Sequence, residues 1–225
     1  MATADRIAIY ALTRPAAELA AQLVEAMEPS HLPGKQGHNP ERGTGNEERG
    51  TPKADLYLPA DLAQEFGGQG FSRLQDLVAE TFHRYTGHIF LTAAGIAVRC
   101  ISSLLRGKDR DPAVVVLDQK GDYAVSLLSG HLGGGNRLAR EVAAILGGRA
   151  VITTATDSLG LPAVEELARN LDMRIADILA ATPVNAAIAN SRPLQLFDPQ
   201  DRLGLAAALG PKFPLRRIEA VEEID

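Results

Sequence analysis

Residues 123–148, YAVSLLSGHLGGGNRLAREVAAILGG, combine strand, loop and helix signals from which the layered fold can be predicted. An apolar run typical of a β-strand is followed by a glycine-rich loop, and then by apolar residues at helical spacing over 136–146. Glycine is favoured where the backbone turns left-handed or approaches another group closely. The crowding of glycines in this loop therefore predicts that something lies against its backbone.

The same alternation of strands and helices extends outward along the chain. Lys120-Gly121-Asp122 between two apolar runs is typical of a β-hairpin, which makes one strand pair antiparallel. The sequence predicts an α/β fold of three layers, in which a mostly parallel sheet with one antiparallel hairpin carries helices on both faces, plus a small C-terminal appendage. The predicted strands are 6–12, 54–59, 87–95, 113–119, 123–129 and 150–156, and the predicted helices are 14–27, 71–85, 95–107, 136–146 and 161–171.

The chain is expected to divide into a main α/β domain, 1–170, and a short second segment, 171–225. Within the first, residues 28–53 are rich in glycine, proline and charge and almost without apolar residues. This composition predicts a disordered insertion. Glycine at 107 is expected to close the helix 95–107.

Composition excludes several classes of protein. The net charge of −5 provides no global basic field for nucleic acid. The single cysteine, Cys100, excludes an intrachain disulfide and a Cys/His zinc pattern, so no metal site is expected. The apolar run 7–12 is too short for a signal peptide or a membrane span. A cytoplasmic protein without membrane contact is therefore expected.

Three stretches lie at the junction between a predicted strand and the helix that follows it. Because ligands bind open α/β sheets at the carboxyl ends of their strands, these stretches are candidate sites. In the first, 91–99, Gly95 belongs to a turn that leaves backbone N–H groups open at a helix start. Arg99, one turn further, either pairs with a carboxylate or is simply solvated. Lys108, in the charged turn KDRDP, is a further candidate for contact with an anion.

The second stretch is the glycine loop. It fails the dinucleotide fingerprint G-x-G-x-x-G because Leu138 occupies the third glycine position, and the Walker pattern is absent as well. A glycine turn at a helix N-terminus favours an anion or a developing oxyanion. His131 is either a general base or a residue that only hydrogen-bonds the loop. Asn136 is equally a helix cap or a ligand contact.

The third stretch ends a strand with Thr153, Thr154, Thr156 and Asp157. Asp157 is expected to accept a hydrogen bond from a histidine or to orient water, with helix capping as the alternative. Glu165 and the glutamate after it are most simply a solvated helix face.

Four segments together resemble the CbiG family, the cobalt-precorrin-5A hydrolases of anaerobic cobalamin biosynthesis. The resemblance is strong over about residues 70–170 and weak at PVNAAIANSRPLQLF (183–197), and the family usually has alanine where Gly135 stands. The segments are GHIFLTAAGIAVR (87–99), DPAVVVLDQKG (111–121), SLLSGHLGGGNRLAREVAAILG (126–147) and VITTATD (151–157).

The resemblance implies an enzyme that opens the δ-lactone of cobalt-precorrin-5A and releases acetaldehyde, giving cobalt-precorrin-5B. Cobalt is then carried by the substrate, and no other cofactor is expected. On this view His131 is the base and the loop amides of 133–136 are oxyanion donors. Ser129 or Asp157 is the orienting residue. The other residues expected to bind this substrate, which bears many carboxylates, are Gly95, Arg99, Lys108, Gly130, Gly133, Gly134, Gly135, Asn136, Thr153 and Thr154.

Family members commonly carry a further C-terminal domain similar to the protein CobE, whereas this chain ends at Asp225. The resemblance therefore implies a separate CobE-like partner, or activity without one. A non-catalytic corrinoid-binding subunit is the alternative to an enzyme, and a nucleotide-binding domain is disfavoured by the failed fingerprints.

Overall fold

The computed structural model describes residues 6–27, 53–220 and 222, which form two compact units, Met1–Val151 and Ile152–Asp225. Of the predicted disordered insertion 28–53, only Lys53 lies within the described residues, and it begins a strand. The remainder of that prediction falls outside them.

The first unit is built on a seven-stranded sheet in the order β3-β2-β1-β4-β5-β6-β7. All neighbouring strands are parallel except β5 and β6, which are antiparallel. The predicted α/β fold with a mostly parallel sheet and one antiparallel hairpin is confirmed. The elements are β1 (Arg6–Ala11), α1 (Arg14–Ala26), β2 (Lys53–Pro59), α2 (Ala60–Phe66), β3 (Gln69–Phe71), α3 (Leu74–Thr81), β4 (Gly87–Leu91), α4 (Ala94–Ile101), β5 (Ala113–Leu117), β6 (Tyr123–Leu128), α5 (Gly135–Leu146) and β7 (Arg149–Val151).

Two hydrophobic clusters cover the two faces of this sheet. In β1, Ile7 and Ile9 belong to one cluster, whereas Ala8 and Tyr10 belong to the other, because successive side chains of a strand point to opposite faces. Helices α1 and α5 pack on the first face, and α3 and α4 pack on the second. Helices therefore lie on both faces of the sheet, as predicted.

The antiparallel strand determines which edge of the sheet each loop occupies. Val114, near the start of β5, lies opposite Leu128 at the end of β6, and β7 runs parallel to β6. The loop after β6 therefore lies beside the amino ends of β1, β4 and β5, which we call the amino edge. The turn after β4 lies at the other edge, which we call the carboxyl edge. A strand of five residues spans roughly 16 Å between them.

Several boundaries differ from the sequence predictions. Helix α4 ends at Ile101 and passes into a 3-10 turn, so the prediction of a helix closed by Gly107 is wrong. The strand predicted to reach residue 156 ends at Val151, because a short helix occupies Ala155–Ser158. The structure also contains helix α2 and strand β3, which the sequence pattern does not predict.

The second unit contains four helices and a parallel two-stranded sheet among its described residues. Glu165 is buried, so the prediction that it belongs to a solvated helix face is wrong. The burial of Glu165 is explained by Asn185, whose Nδ2 donates to Glu165 Oε2 over 2.5 Å. The Oδ1 of Asn185 accepts from the Val164 N–H over 2.9 Å. The elements are α6 (Ala155–Ser158), α7 (Val164–Asn170), α8 (Ile178–Ala189), β8 (Leu194–Leu196), α9 (Leu205–Leu209) and β9 (Leu215–Arg217).

A buried polar chain crosses the second face of the main sheet. His88 is fully buried, and its Nε2 lies 2.9 Å from the carbonyl oxygen of Phe82. Because a carbonyl only accepts, Nε2 carries the proton, and Nδ1 accepts from the hydroxyl of Tyr10 over 3.0 Å. The Tyr10 oxygen lies 2.8 Å from Thr81 Oγ1. Burial lowers the pKa of His88 from 6.5 to about 4, although its bond to Phe82 opposes this shift.

Candidate functional site

The glycine loop between β6 and α5 is closed by its own backbone. The N–H of Gly135 donates to the carbonyl of Ser129 over 3.0 Å, and that of Asn136 donates to Gly130 over 2.9 Å. The N–H of Gly134 donates to the carbonyl of His131 over 3.2 Å. The expectation that the amides of 133–136 are open donors is therefore wrong for residues 134, 135 and 136.

Close contacts with the rest of the protein account for two of the loop glycines. A Cβ on Gly133 would lie 2.5 Å from the Cβ of Ser129 and 3.3 Å from the backbone nitrogen of Ala113. A Cβ on Gly135 would lie 2.5 Å from the carbonyl oxygen of Leu128. Gly134 instead has a φ of +81°, which places it in the left-handed region. At Gly133 and Gly135, what lies against the loop is the chain itself.

This packing predicts that Gly133→Ala destabilises the first unit by about 1–3 kcal/mol, the usual cost of overpacking a tight site. Urea denaturation followed by circular dichroism measures the change. Gly95→Ala is the matched control, because Gly95 lies in α4 and an added Cβ would only approach the flexible end of Arg99, at 3.4 Å. The control should be neutral or stabilising by about 0.5–1 kcal/mol. Equal stability of the two variants would contradict the close packing of Gly133.

Ser129 and Asp111 tie the loop to the turn before β5. Ser129 has a φ of +54°, which is uncommon for a residue with a side chain, and its Oγ donates to the carbonyl of Asp111 over 2.8 Å. The carboxylate of Asp111 is buried and accepts from the N–H groups of Arg106 and Gly107 over 2.9 and 3.0 Å. Sequence reasoning missed Asp111, although an Asp-Pro pair directly before a strand is a turn signal.

His131 lies half-buried on the closed loop, at the amino edge of the sheet. A cavity of about 50 Å³ beside the loop is lined in part by Gly133, Gly134 and Arg137. Pockets for drug-sized ligands have volumes of about 300–1,000 Å³. This cavity is therefore too small to enclose a ligand of that size.

The structure distributes the predicted site residues over three places. The glycine loop with Ser129 and His131, together with the turn that carries Lys108, lies at the amino edge. Gly95 and Arg99 are exposed near the carboxyl edge, so they do not join the loop. The prediction that all three stretches meet at one edge of the sheet is wrong, because β6 and β7 run opposite to β4, so the glycine loop after β6 lies at the other edge from 91–99.

The remaining predicted residues lie in the second unit or in α5. Thr154 Oγ1 donates to Asp157 Oδ2 over 2.6 Å, within and just before the short helix α6, while Thr153 is exposed. Asn136 is buried in the first turn of α5 and follows the capping residue Gly134, so the alternative of Asn136 as the N-cap is wrong. No cluster of three or more metal-ligating side chains occurs among the described residues. The same residues contain no helix long and apolar enough to cross a membrane.

Two family models match segments of this chain. Residues 76–157 match the family model described as Cobalamin synthesis G N-terminal, and residues 162–220 match that described as Cobalamin biosynthesis central region. The two matches together span more than half of the chain. The chain belongs to the CbiG family.

Two curated relatives of this CbiG chain carry the name cobalt-precorrin-5A hydrolase. The relative from Salmonella typhimurium is 48% identical over 149 residues, which cover 64% of this chain and 42% of the relative. The relative from Priestia megaterium is 39% identical over 147 residues, which cover 63% of this chain and 39% of the relative. This CbiG chain therefore spans less than half the length of the curated relatives it matches.

Both matched segments of this CbiG chain contain residues singled out above. The N-terminal match, 76–157, includes the glycine loop, His131 and Asp111. The central match, 162–220, includes Glu165 and Asn185, which join α7 to α8.

Proposed function

We propose that this CbiG chain hydrolyses cobalt-precorrin-5A, opening the δ-lactone and releasing acetaldehyde to give cobalt-precorrin-5B. The observation that carries the proposal is the 48% identity over 149 residues to a relative named cobalt-precorrin-5A hydrolase. Because the match covers 42% of that relative, activity of this chain by itself is part of the proposal.

The proposed reaction has two steps, each of which needs a proton to move. A water molecule attacks the lactone carbonyl and loses a proton, and the ring opens to a carboxylate and an alcohol. Loss of the alcohol proton then breaks the bond between the macrocycle and the carbon that leaves as acetaldehyde. The electron pair of that bond remains on the macrocycle, which takes up a proton.

His131 is proposed as the base that accepts the proton from the attacking water. The half-buried position of His131 supports this role, because three backbone hydrogen bonds hold the loop that carries it while the residue stays partly accessible. The amides of residues 134–136 are not proposed as oxyanion donors, because they already donate to the loop. Asp157 and Ser129 remain proposals as orienting residues, although the Ser129 hydroxyl already donates to Asp111.

Cobalt is proposed to arrive with the substrate, and no further cofactor is proposed. The other residues predicted to contact substrate remain proposals for substrate carboxylates. Of these, Arg99 lies near the opposite edge of the sheet from His131, so only a ligand that reaches both edges would meet both residues.

The test is anaerobic incubation of the purified chain with cobalt-precorrin-5A, followed by an acetaldehyde assay and absorbance spectra. Acetaldehyde release, absent from a control without protein, is the expected result. A change in corrinoid absorbance without acetaldehyde would indicate instead a non-catalytic corrinoid-binding subunit. Repeating the assay with a CobE-like protein added would then show whether a partner supplies the missing activity. If neither assay gave a spectral change or acetaldehyde, both functions would be refuted.

A further inference from the structure

We propose that Asp111 is a positioning residue, which holds a basic turn against the glycine loop so that Arg106 and Lys108 bind carboxylates of a tetrapyrrole. The turn comprises residues 106–111 and is called the basic turn below. The inference deepens the proposed function and rests on it for the identity of the ligand.

The basic turn is shaped by one buried carboxylate. The two oxygens of Asp111 accept separate backbone N–H groups, those of Arg106 and Gly107, at 2.9 and 3.0 Å. The N–H groups of Arg110 and Asp111 donate back to the carbonyl of Gly107 over 3.1 and 2.9 Å. Asp111 is only 7% exposed, so water competes little for these bonds. The carboxylate therefore fixes the backbone from which the basic side chains project.

The same residue fastens the basic turn to the glycine loop. Its carbonyl oxygen accepts the hydroxyl of Ser129 over 2.8 Å, and Ser129 is the residue held at a positive φ. Asp111 thus connects two segments that both lie at the amino edge of the sheet. A ligand bound by the basic turn would be placed close to the loop that carries His131.

Two cations of the basic turn are available to a ligand. Arg106, Lys108 and Arg110 are all exposed, and Arg110 pairs with Asp109 over 3.5 Å. Among the described residues, neither Arg106 nor Lys108 forms an ion pair. The turn as a whole carries three cations against the carboxylates of Asp109 and Asp111, which leaves it positive in a chain whose net charge is −5. Arginine and lysine side chains suit carboxylates, and the proposed substrate carries many of them.

The probe for this site is uroporphyrin III, a fluorescent tetrapyrrole with acetate and propionate side chains. Its binding is followed by fluorescence titration of the purified chain at low salt. Lys108→Gln should weaken binding by about fivefold, the order of one exposed ion pair. Lys120→Gln is the matched control, because Lys120 is an exposed lysine in the β5–β6 turn at the carboxyl edge. It removes the same charge and should leave binding unchanged.

A double-mutant cycle separates positioning from structural support. Asp111→Asn leaves one acceptor oxygen for two N–H groups, so it should release the turn and weaken binding by about fivefold. In that background, Lys108→Gln should add less than about 1.5-fold, because Lys108 is no longer held in place. Ser129→Ala, which detaches the turn from the loop by removing one hydroxyl, should also reduce the effect of Lys108→Gln. This variant replaces Asp111→Asn if the latter fails to fold, as shown by its melting curve.

The outcomes distinguish this inference from the proposed function. The inference would be overturned if Lys108→Gln and Asp111→Asn weakened uroporphyrin III binding independently of each other. It would also be overturned if the unmodified chain did not bind uroporphyrin III. Neither result would bear on lactone hydrolysis. With cobalt-precorrin-5A, Asp111→Asn should raise KM about fivefold and leave kcat within about twofold. A loss confined to kcat would also overturn the inference. Absence of acetaldehyde release together with intact uroporphyrin binding would instead refute the hydrolase and keep the carboxylate site.

Discussion

His131→Gln should slow turnover of cobalt-precorrin-5A by about 10²–10⁴-fold, the usual contribution of a general base. Glutamine keeps a polar side chain of similar size, but it cannot take a proton from water near neutral pH. Because the loop is closed by backbone bonds, the substitution should leave the loop conformation intact. Substrate binding, measured from the change in corrinoid absorbance, should therefore remain largely unaffected.

The control for this experiment is His83→Gln. His83 is an exposed histidine just beyond α3, and its Nε2 contacts only the carbonyl of Leu104 among the bonds described for it. Turnover by that variant should match the unmodified chain. A folded His131→Gln protein with near-normal acetaldehyde release would remove His131 from the proposed chemistry and leave it a structural part of the loop.

The second large effect concerns acid stability and comes from His88. Its pKa is about 4 in the folded chain because of burial, against 6.5 for an exposed histidine. Well above pH 6.5 the imidazole is neutral in both the folded and the unfolded chain, so its titration does not change the free energy of unfolding. Between pH 6.5 and about 4 only the unfolded state binds the proton, so the folded state loses stability as pH falls. The full loss is about 3 kcal/mol, at 1.36 kcal/mol for each tenfold change in proton affinity.

Comparison with His88→Gln isolates this contribution. Glutamine retains an N–H donor for the Phe82 carbonyl but does not titrate, so its stability at pH 7 sets the reference. On going from pH 7 to pH 5, the unmodified chain should lose about 2 kcal/mol more unfolding free energy than the variant. Urea titrations at the two pH values measure both losses. Parallel losses would mean that His88 is protonated in the folded chain well above pH 4.

The layered fold could be predicted from sequence because local patterns carry it. The apolar runs at β1, β4 and β5 and the Lys120-Gly121-Asp122 turn are signals within a few residues of each other. Helix α2 and strand β3 were missed because they are short and lack a long periodic pattern. The end of α4 was placed too late, since the bonds that redirect the chain after it come from Asp111, several residues further on.

The site was harder to predict because it depends on strand order and on contacts between distant residues. The sequence pattern predicts the hairpin, but the position of the loop after β6 at the amino edge depends on which strands the hairpin joins in the sheet. The glycines correctly indicated close backbone approach. Sequence could not tell that the approaching groups are Ser129, Leu128 and Ala113 rather than a ligand. The bond between Ser129 and Asp111 joins residues 18 positions apart, beyond any local motif.

The internal hydrogen bonds of the glycine loop also have a consequence for the entropy of binding. A flexible glycine loop that wraps an anion must lose conformational freedom when the ligand arrives, and this loss weakens binding. Here the amides of residues 134–136 are already engaged, so the loop loses that freedom during folding. A ligand that meets His131 therefore encounters a preorganised surface, and its affinity is not reduced by ordering this loop.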